Sequence, residues 1–257
     1  MNLEHIKKHR RDFTGVSWWG TAFIRNDTTG TPAFIYNSTY AVGEAMLQKE
    51  TPEIDLFPVL EADPPLMAAA ATQAAAAAKA HGWAGFNVDY EPGGMWSAPE
   101  FARFLVNLRP LALALHAVGL ELSVDICCIS QVANFAEQIA GSAVDRWVPM
   151  DTYNDDLPSF LNDLDIYQRF VPSNNLAPGL FPTGPPGWNN DTGSGHTQAV
   201  ERFGLLQRSG AQHVALFCLD PDSNAAWEAD HWWDLSRKFL DDCGGCYVGT
   251  CWTNMTC

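Results

Sequence analysis

Basic residues are scarce in this 257-residue chain: 15 Lys and Arg stand against 30 Asp and Glu, for a net charge of -15. A field of that sign repels phosphate backbones and anionic bilayers, so nucleic acid is excluded as a partner class. No apolar run is long enough to span a membrane, and membrane insertion is not expected. The seven His are scattered with no ligand spacing, which argues against a metal site. A Gly-rich phosphate loop is lacking, as is a Lys at the end of any strand-like run, so phosphate-handling and Schiff-base chemistry are disfavoured. Internal repeats and linkers long enough to separate two domains are lacking too, and the one low-complexity stretch is a run of Ala. What is present is 47% hydrophobic, enough for a full core, with ten Trp and 14 Phe. Flat aromatic faces suit sugar rings, although most Trp residues simply fill cores.

Cysteine is unevenly spread. Cys127, Cys128 and Cys218 sit in apolar runs and are expected to be buried and inert, whereas Cys243, Cys246, Cys251 and Cys257 crowd the last 15 residues. That tail has no His and lacks two clean C-x-x-C pairs, so two disulfides are expected rather than zinc. Sequons at Asn26, Asn37, Asn190 and Asn254 agree with an oxidising compartment, secreted or in the endomembrane lumen. The opening MNLEHIKKHRRDF has no apolar leader core, so a leader is expected upstream if the chain is exported.

Strand and helix patterns alternate. Leu3 to Arg11 reads as the end of a helix, Phe13 to Ile24 as a strand, Asn26 to Thr39 as a polar loop and Tyr40 to Glu50 as a short helix. Ile54 to Leu60 is a second strand, the Ala-rich Pro64 to His81 a helix stopped by Gly82, and Trp83 to Glu91 a third strand. Ser97 to Val118 is a helix with a capping box between Ser97 and Glu100, and Leu120 to Ile126 a fourth strand. A helix around Val132 to Ala140, a strand from Val144 to Tyr153 and a helix from Leu157 to Phe170 follow. The rest reads as a strand at Leu176 to Pro182, a loop at Thr183 to Ser194, a helix at His196 to Ser209, a strand at His213 to Leu219 and a helix at Ala225 to Leu240. Such alternation implies a parallel α/β sheet, and the unit count approaches a TIM (β/α)8 barrel lacking its first strand. Residues 1–242 are expected to form that barrel and 243–257 a Cys-rich tail.

The chemistry concentrates in WAGFNVDYEP, Trp83 to Pro92. Strand alternation puts Gly85, Asn87, Asp89 and Glu91 on one face and Phe86, Val88 and Tyr90 on the other. Pro92, Gly93 and Gly94 end the strand, so Glu91 stands at its C-terminal mouth, where α/β barrels carry their sites. Other strand-end residues are Asp125, Asp151 to Asn154, and Asp220 to Asp222, turn and cap types that only their position recommends. Carboxyl groups held close repel when both ionise, so one keeps its proton and can act as a general acid.

The stretch Ala84-Gly85-Phe86-Asn87-Val88-Asp89-Tyr90-Glu91 resembles the D-G-x-D-x-D-x-E strand of family 18 glycoside hydrolases, the chitinases and endo-β-N-acetylglucosaminidases. Met150-Asp151-Thr152-Tyr153-Asn154 is similar to that family's sixth strand end. The resemblance implies a hydrolase of β-1,4-linked N-acetylglucosamine, in chitin-like chains or N-glycan cores, by a retaining, substrate-assisted mechanism. Glu91 would be the general acid, with Asp89 and Tyr153 holding the substrate's acetamide and Asn87 supporting Asp89. Asn154, Asp151, Phe217 and Trp18 would complete the sugar site. Ala84 and Asn87 stand where the family has Asp, and Phe217 where it often has Trp. No cofactor is implied, the partner is an N-acetylglucosamine-containing oligosaccharide or polysaccharide, and a monomer is expected. A chitinase-like lectin that binds such glycans without turnover is the alternative, and the presence of Glu91 favours the enzyme.

Overall fold

The computed structural model describes residues 8–9, 11–13, 15–25, 32–36, 50–55, 64–89, 97–126, 129–153, 157–180, 195–217, 232–242 and 247–252. Its strands are β1 (Gly15–Arg25), β2 (Pro32–Tyr36), β3 (Glu50–Asp55), β4 (Gly85–Asp89), β5 (Glu121–Ile126), β6 (Arg146–Pro149), β7 (Gly179–Leu180), β8 (His213–Phe217) and β9 (Tyr247–Trp252). Its α-helices are α1 (Pro64–His81), α2 (Ala98–His116), α3 (Ile129–Asn134), α4 (Ala136–Ala140), α5 (Leu157–Phe170), α6 (Gly195–Arg208) and α7 (Trp232–Asp242).

The helix-to-strand joints explain how the pattern repeats. Gly82 ends α1 at φ 72°, a left-handed conformation that glycine adopts without a Cβ clash, and the Trp83 N–H donates back to the Ala78 carbonyl at 3.0 Å. The same closure ends α2 at Gly119, with Leu120 bonding Leu115, and α6 at Gly210, with Ala211 bonding Leu206. Each joint reverses the chain within a few residues and starts a strand beneath its helix. At the other end of α2, the Glu100 carboxylate accepts from the Ser97 hydroxyl at 2.6 Å and the Ser97 N–H at 2.8 Å. Those two donors hold the Glu100 carboxyl below its ordinary range.

The outward faces of the strands form the core with the helices. Phe86, Val88, Leu122, Val124, Val214 and Leu216 are at 0% exposure. Along α1, Met67, Ala70, Ala71, Ala74 and Ala78 are also at 0%, a stripe at helical spacing. Alanine there lets α1 approach its neighbours closely, which a helix of larger residues could not do. Trp147, at 1%, is among the largest buried side chains, and each such aromatic contributes ~2 to 3 kcal/mol of burial.

The sheet runs β6-β5-β4-β3-β1-β9-β8-β7, every pairing on that path being parallel, while β2 pairs antiparallel with the far half of β1. Its two ends meet: Trp147 of β6 forms a parallel bridge with Leu176, just ahead of β7. The Trp147 N–H donates to the Asn175 carbonyl at 2.6 Å, and its own carbonyl accepts from the Ala177 N–H at 2.9 Å. The result is a barrel-like α/β fold.

Several sequence expectations are corrected. Tyr247–Trp252, inside the segment read as a Cys-rich tail, is strand β9, which lies between β8 and β1, with His213 aligned on Tyr247 and Gly15 on Gly249. Its Cys and Gly masked a six-residue β pattern, YVGTCW. Cys243, Cys246 and Cys257 lie outside the described residues, as does the helix expected from Tyr40 to Glu50 up to its last residue, which begins β3. The loop expected at Asn26 to Thr39 contains β2, and the strand expected at Ile54 to Leu60 overlaps β3, Glu50–Asp55, at Ile54 and Asp55, its remainder lying outside the described residues. The strand expected at Val144 to Tyr153 is four residues long, Arg146–Pro149, and then tightens into a 3-10 turn, Asp151–Tyr153.

The segment before β1 docks on α7. The His9 ring stacks on Trp233 at 4.5 Å, Asp12 lies 2.9 Å from His9 Nδ1 and 3.5 Å from Arg237, and Phe13 is 1% exposed. Ending the chain after Asp242 would leave β1 and β8 without their shared neighbour and expose two strand edges. The truncated chain is expected to lose its cooperative thermal transition and to aggregate. A melt as sharp as that of the full chain, followed by circular dichroism, would show β9 to be dispensable.

Candidate functional site

The inward face of β4 carries Gly85, Asn87 and Asp89, and that of β5 carries Glu121, Ser123 and Asp125, in register pair by pair. Adjacent strands bring aligned residues within side-chain reach, so Asn87 faces Ser123, and Asp89 faces Asp125. The Ser123 hydroxyl donates to Asn87 Oδ1 at 2.6 Å, and Asn87 Nδ2 donates to Asp125 Oδ2 at 2.8 Å. This network fixes which end of the amide is which. Asn87 is 2% exposed and Asp125 5%, while Asp89, at the C-terminal end of β4, is half-buried. Burying an amide and a carboxyl is costly unless they are bonded, and here they bond each other.

Tyr153 lies at the next mouth along the sheet, at the end of the 3-10 turn after β6. Two contacts hold that turn. Thr152, at 0% exposure, points its hydroxyl at the Pro149 carbonyl (2.9 Å) and the Gly179 carbonyl of β7 (2.8 Å). The Tyr153 ring lies flush against Gly179: a Cβ at that position would overlap ring carbons Cε1 and Cδ1 and fall 2.7 Å from the Pro149 carbonyl oxygen. Glycine at 179 is thus a requirement for the tyrosine's position. Asp151 is turned to the opposite task, accepting a hydrogen bond from the Tyr167 hydroxyl of α5. That bond ties the turn to a helix and engages one oxygen that the sequence reading had assigned to substrate.

The opposite, N-terminal end of the interior holds an Arg–Glu pair and a histidine. Arg146 of β6 pairs with Glu121 of β5 at 2.5 Å, and His213 of β8 donates from Nε2 to the Asn174 carbonyl at 3.1 Å. Burial, reinforced by the Arg146 charge, pushes the His213 imidazole down to about 4. Asn87, Asp89 and Asp125 therefore lie toward one mouth, and Arg146, Glu121 and His213 toward the other.

Of the residues predicted from sequence, Asn87 and Asp89 share one face, and Asp151 and Tyr153 share one turn. Phe217 closes β8 in register with Cys251, and Trp18 lies in β1 in register with Pro52 and Trp252. Glu91 and Asn154 lie outside the described residues. Sequence reasoning passed over Asp125 as a turn residue, although the alternation in LELSVDI already put it on the face of Ser123. Thr152 and Gly179 were missed for want of any local signal, because their roles arise from contact between β7 and the turn after β6.

No family model matches the sequence, and no curated protein matches it significantly. Solved structures do resemble the fold. A chitinase from Bacteroides thetaiotaomicron superposes with a TM-score of 0.66 at 12% identity, over 95% of this chain and 91% of that one. A family 18 chitinase from Crocus vernus gives 0.61 at 13% identity, over 90% and 91%. Catalytic domain 2 of a Group II chitinase from Ostrinia furnacalis, solved as a mutant in complex with a penta-N-acetyl chitooligosaccharide, gives 0.52 at 11% identity, over 70% of this chain and 59% of that one. The fold is thus that of the family 18 chitinases.

Two outcomes follow from the packing and charge of this region. Gly179→Ala should destabilise the protein by about 1 to 3 kcal/mol through its clash with Tyr153. Adding Tyr153→Ala should recover part of that loss, so a double-mutant cycle by urea unfolding that proved additive would contradict the contact. His213 has a lowered folded pKa, so the unfolded chain binds the proton first and stability falls as pH drops from about 6.5 to about 4. Allowing for solvent screening of a partly exposed ring, His213→Gln should remove roughly 1 to 2 kcal/mol of that acid sensitivity, measured by urea unfolding at neutral and acidic pH.

Proposed function

We propose that this chain is a glycoside hydrolase of chitin-like or N-glycan-core β-1,4-linked N-acetylglucosamine, working from a family 18 chitinase-like barrel. The observation that carries the reading is the inward face of β4, with Asn87 buried and bonded, Asp89 half-buried at the C-terminal end, and Glu91 two residues further on. In this reading the eight parallel strands close into a barrel in which β9 takes the place of the family's first strand.

The substrate's own 2-acetamido oxygen attacks the anomeric carbon as the bond to the leaving sugar breaks, and Glu91 gives its proton to the leaving oxygen. An oxazolinium ion results. Glu91, now a carboxylate, takes a proton from water, and that water opens the ion with net retention, which is why this class departs from the two-carboxylate scheme. Glu91 stands two residues beyond Asp89 in the sequence, and a strand continued at that spacing would separate the two by ~6.5 Å along the backbone. That spacing lets Asp89 balance the positive ring while Glu91 reaches the glycosidic oxygen. The Tyr153 hydroxyl orients the acetamide from the adjacent mouth, with Phe217 of β8 and Trp18 of β1 as further proposed sugar-binding residues. No metal or cofactor takes part in this scheme. Secretion, with disulfides among the last four cysteines, fits the acidic, sequon-bearing chain.

Hydrolysis of a fluorogenic chitotrioside by the purified protein tests the reading. Glu91→Gln should lower kcat by about 10²- to 10⁴-fold with little change in KM, as expected for loss of a general acid. Equal rates in the two proteins would remove Glu91 from the mechanism. Chitotriose binding without turnover, measured by calorimetry, would instead establish the lectin.

A further inference from the structure

We infer that Asp125 is a positioning residue of this site: a second interior carboxyl, carried on β5 rather than β4, that governs the charge of Asp89. The inference rests on the hydrolase reading for its consequence in catalysis, but its physical core is a statement about two carboxyl groups in this fold.

The geometry comes first. Asn87, Asp89, Ser123 and Asp125 form a two-by-two patch on the inward faces of adjacent strands, each residue aligned with its counterpart. Asp125 is 5% exposed, more deeply buried than Asp89. Its Oδ2 receives the Asn87 amide, and that amide cannot turn over without aiming its carbonyl at a carboxylate and its NH2 at the hydroxyl now donating to it. Asn87 is thereby a fixed donor toward Asp125. An acid at position 87 would instead set two carboxylates in contact, so asparagine on β4 and aspartate on β5 are complementary choices.

The surrounding charges come next. On β4 the facing acid is Asp89. On β6 the residue aligned with Asp125 is Val148, and Arg146, aligned one step lower with Ser123, is engaged by Glu121 at 2.5 Å. On β3, Glu53 is in backbone register with Asn87. Backbones ~4.8 Å apart bring the aligned Asp89 and Asp125 within side-chain reach of one another. Two such carboxyls lose their protons in two steps that belong to the pair, the second delayed by the charge left from the first. The pair then keeps one proton to a higher pH than either acid would alone, and Asp89 meets the acetamide with its charge set by Asp125.

Asp125→Asn tests this, because it preserves shape and can still accept from Asn87 while removing the charge. With Glu91→Gln in both proteins, which removes the acid two residues beyond Asp89, the delayed step should vanish. In ¹³C-detected titration of the side-chain carboxyls, the Asp89 signal should change from a two-step curve to a single step about one pH unit or more lower. This readout does not depend on turnover, so it decides the pair even if chitotrioside is not a substrate. In the active protein, the acid limb of kcat/KM against pH should move down by the same amount, with KM little changed. The double variant Asn87→Asp with Asp125→Asn returns one acid to the pair from the other strand and should restore the delayed step. An Asp89 titration that is unchanged in Asp125→Asn, in a protein whose melting temperature is also unchanged, would overturn the inference. So would a one-step Asp89 curve in the parent protein.

Discussion

The alignment of β4 with β5 is the constraint on which the site depends. Polar groups buried on the inward face of a parallel sheet are costly unless bonded, and the neighbouring strand is where Asn87 finds its partners. Asn87 does so twice, with Ser123 and with Asp125. A slip of β4 by one residue would turn Asn87 and Asp89 into the apolar layer under the helices, and would bring Phe86 and Val88 inward. The hydrogen-bond network therefore fixes register as well as satisfying polarity, and fixed register is what delivers Asp89 to the strand mouth. Packing outside and chemistry inside are enforced by the same alignment.

That alignment in turn relies on the sheet being continuous around the interior. The bridge between Trp147 and Leu176 joins one end to the other, and β9 fills the gap between β8 and β1. Open edges would leave rows of N–H and C=O groups unsatisfied and let the sheet flatten, drawing apart the two mouths that hold Asp89 and Tyr153. The residues nearest the two ends of the sequence thus act together, β9 against β1 and the His9 to Phe13 segment against α7.

Most of the architecture was legible in the sequence, because its signals are local. Alternation in GFNVD and ELSVDI marks strands, Ala at helical spacing marks α1, and Gly82, Gly119 and Gly210 mark the joints. The Ser97–Glu100 capping box was readable residue by residue. What failed lacked a local signal. β9 is short and punctuated by Gly and Cys, which mean several things, and its strand character comes from two neighbours distant in sequence. β3 is polar over its first four residues, so the strand was expected to begin only at Ile54. In the site, Asn87 and Asp89 were found by alternation along one strand, whereas Asp125, Thr152 and Gly179 matter through contacts between strands, which periodicity along a single segment cannot display.

The departures from the family strand pattern take on a different meaning in three dimensions. Read along β4 alone, asparagine in place of aspartate at position 87 is a lost charge. Read across the sheet, a carboxyl stands directly beside it on β5, bonded to the very amide that replaced the acid. An interior layer tolerates only so many uncompensated acids, since every added charge raises the cost of ionising the rest. Placing one acid on the adjacent strand, where the neutral amide of Asn87 bonds it, keeps the number of carboxyls near Asp89 and sets the second one directly across from it. The quantity that governs such a site is then the local charge around the strand mouth, and a pattern that counts residues along one strand measures it only where the charge has stayed on that strand.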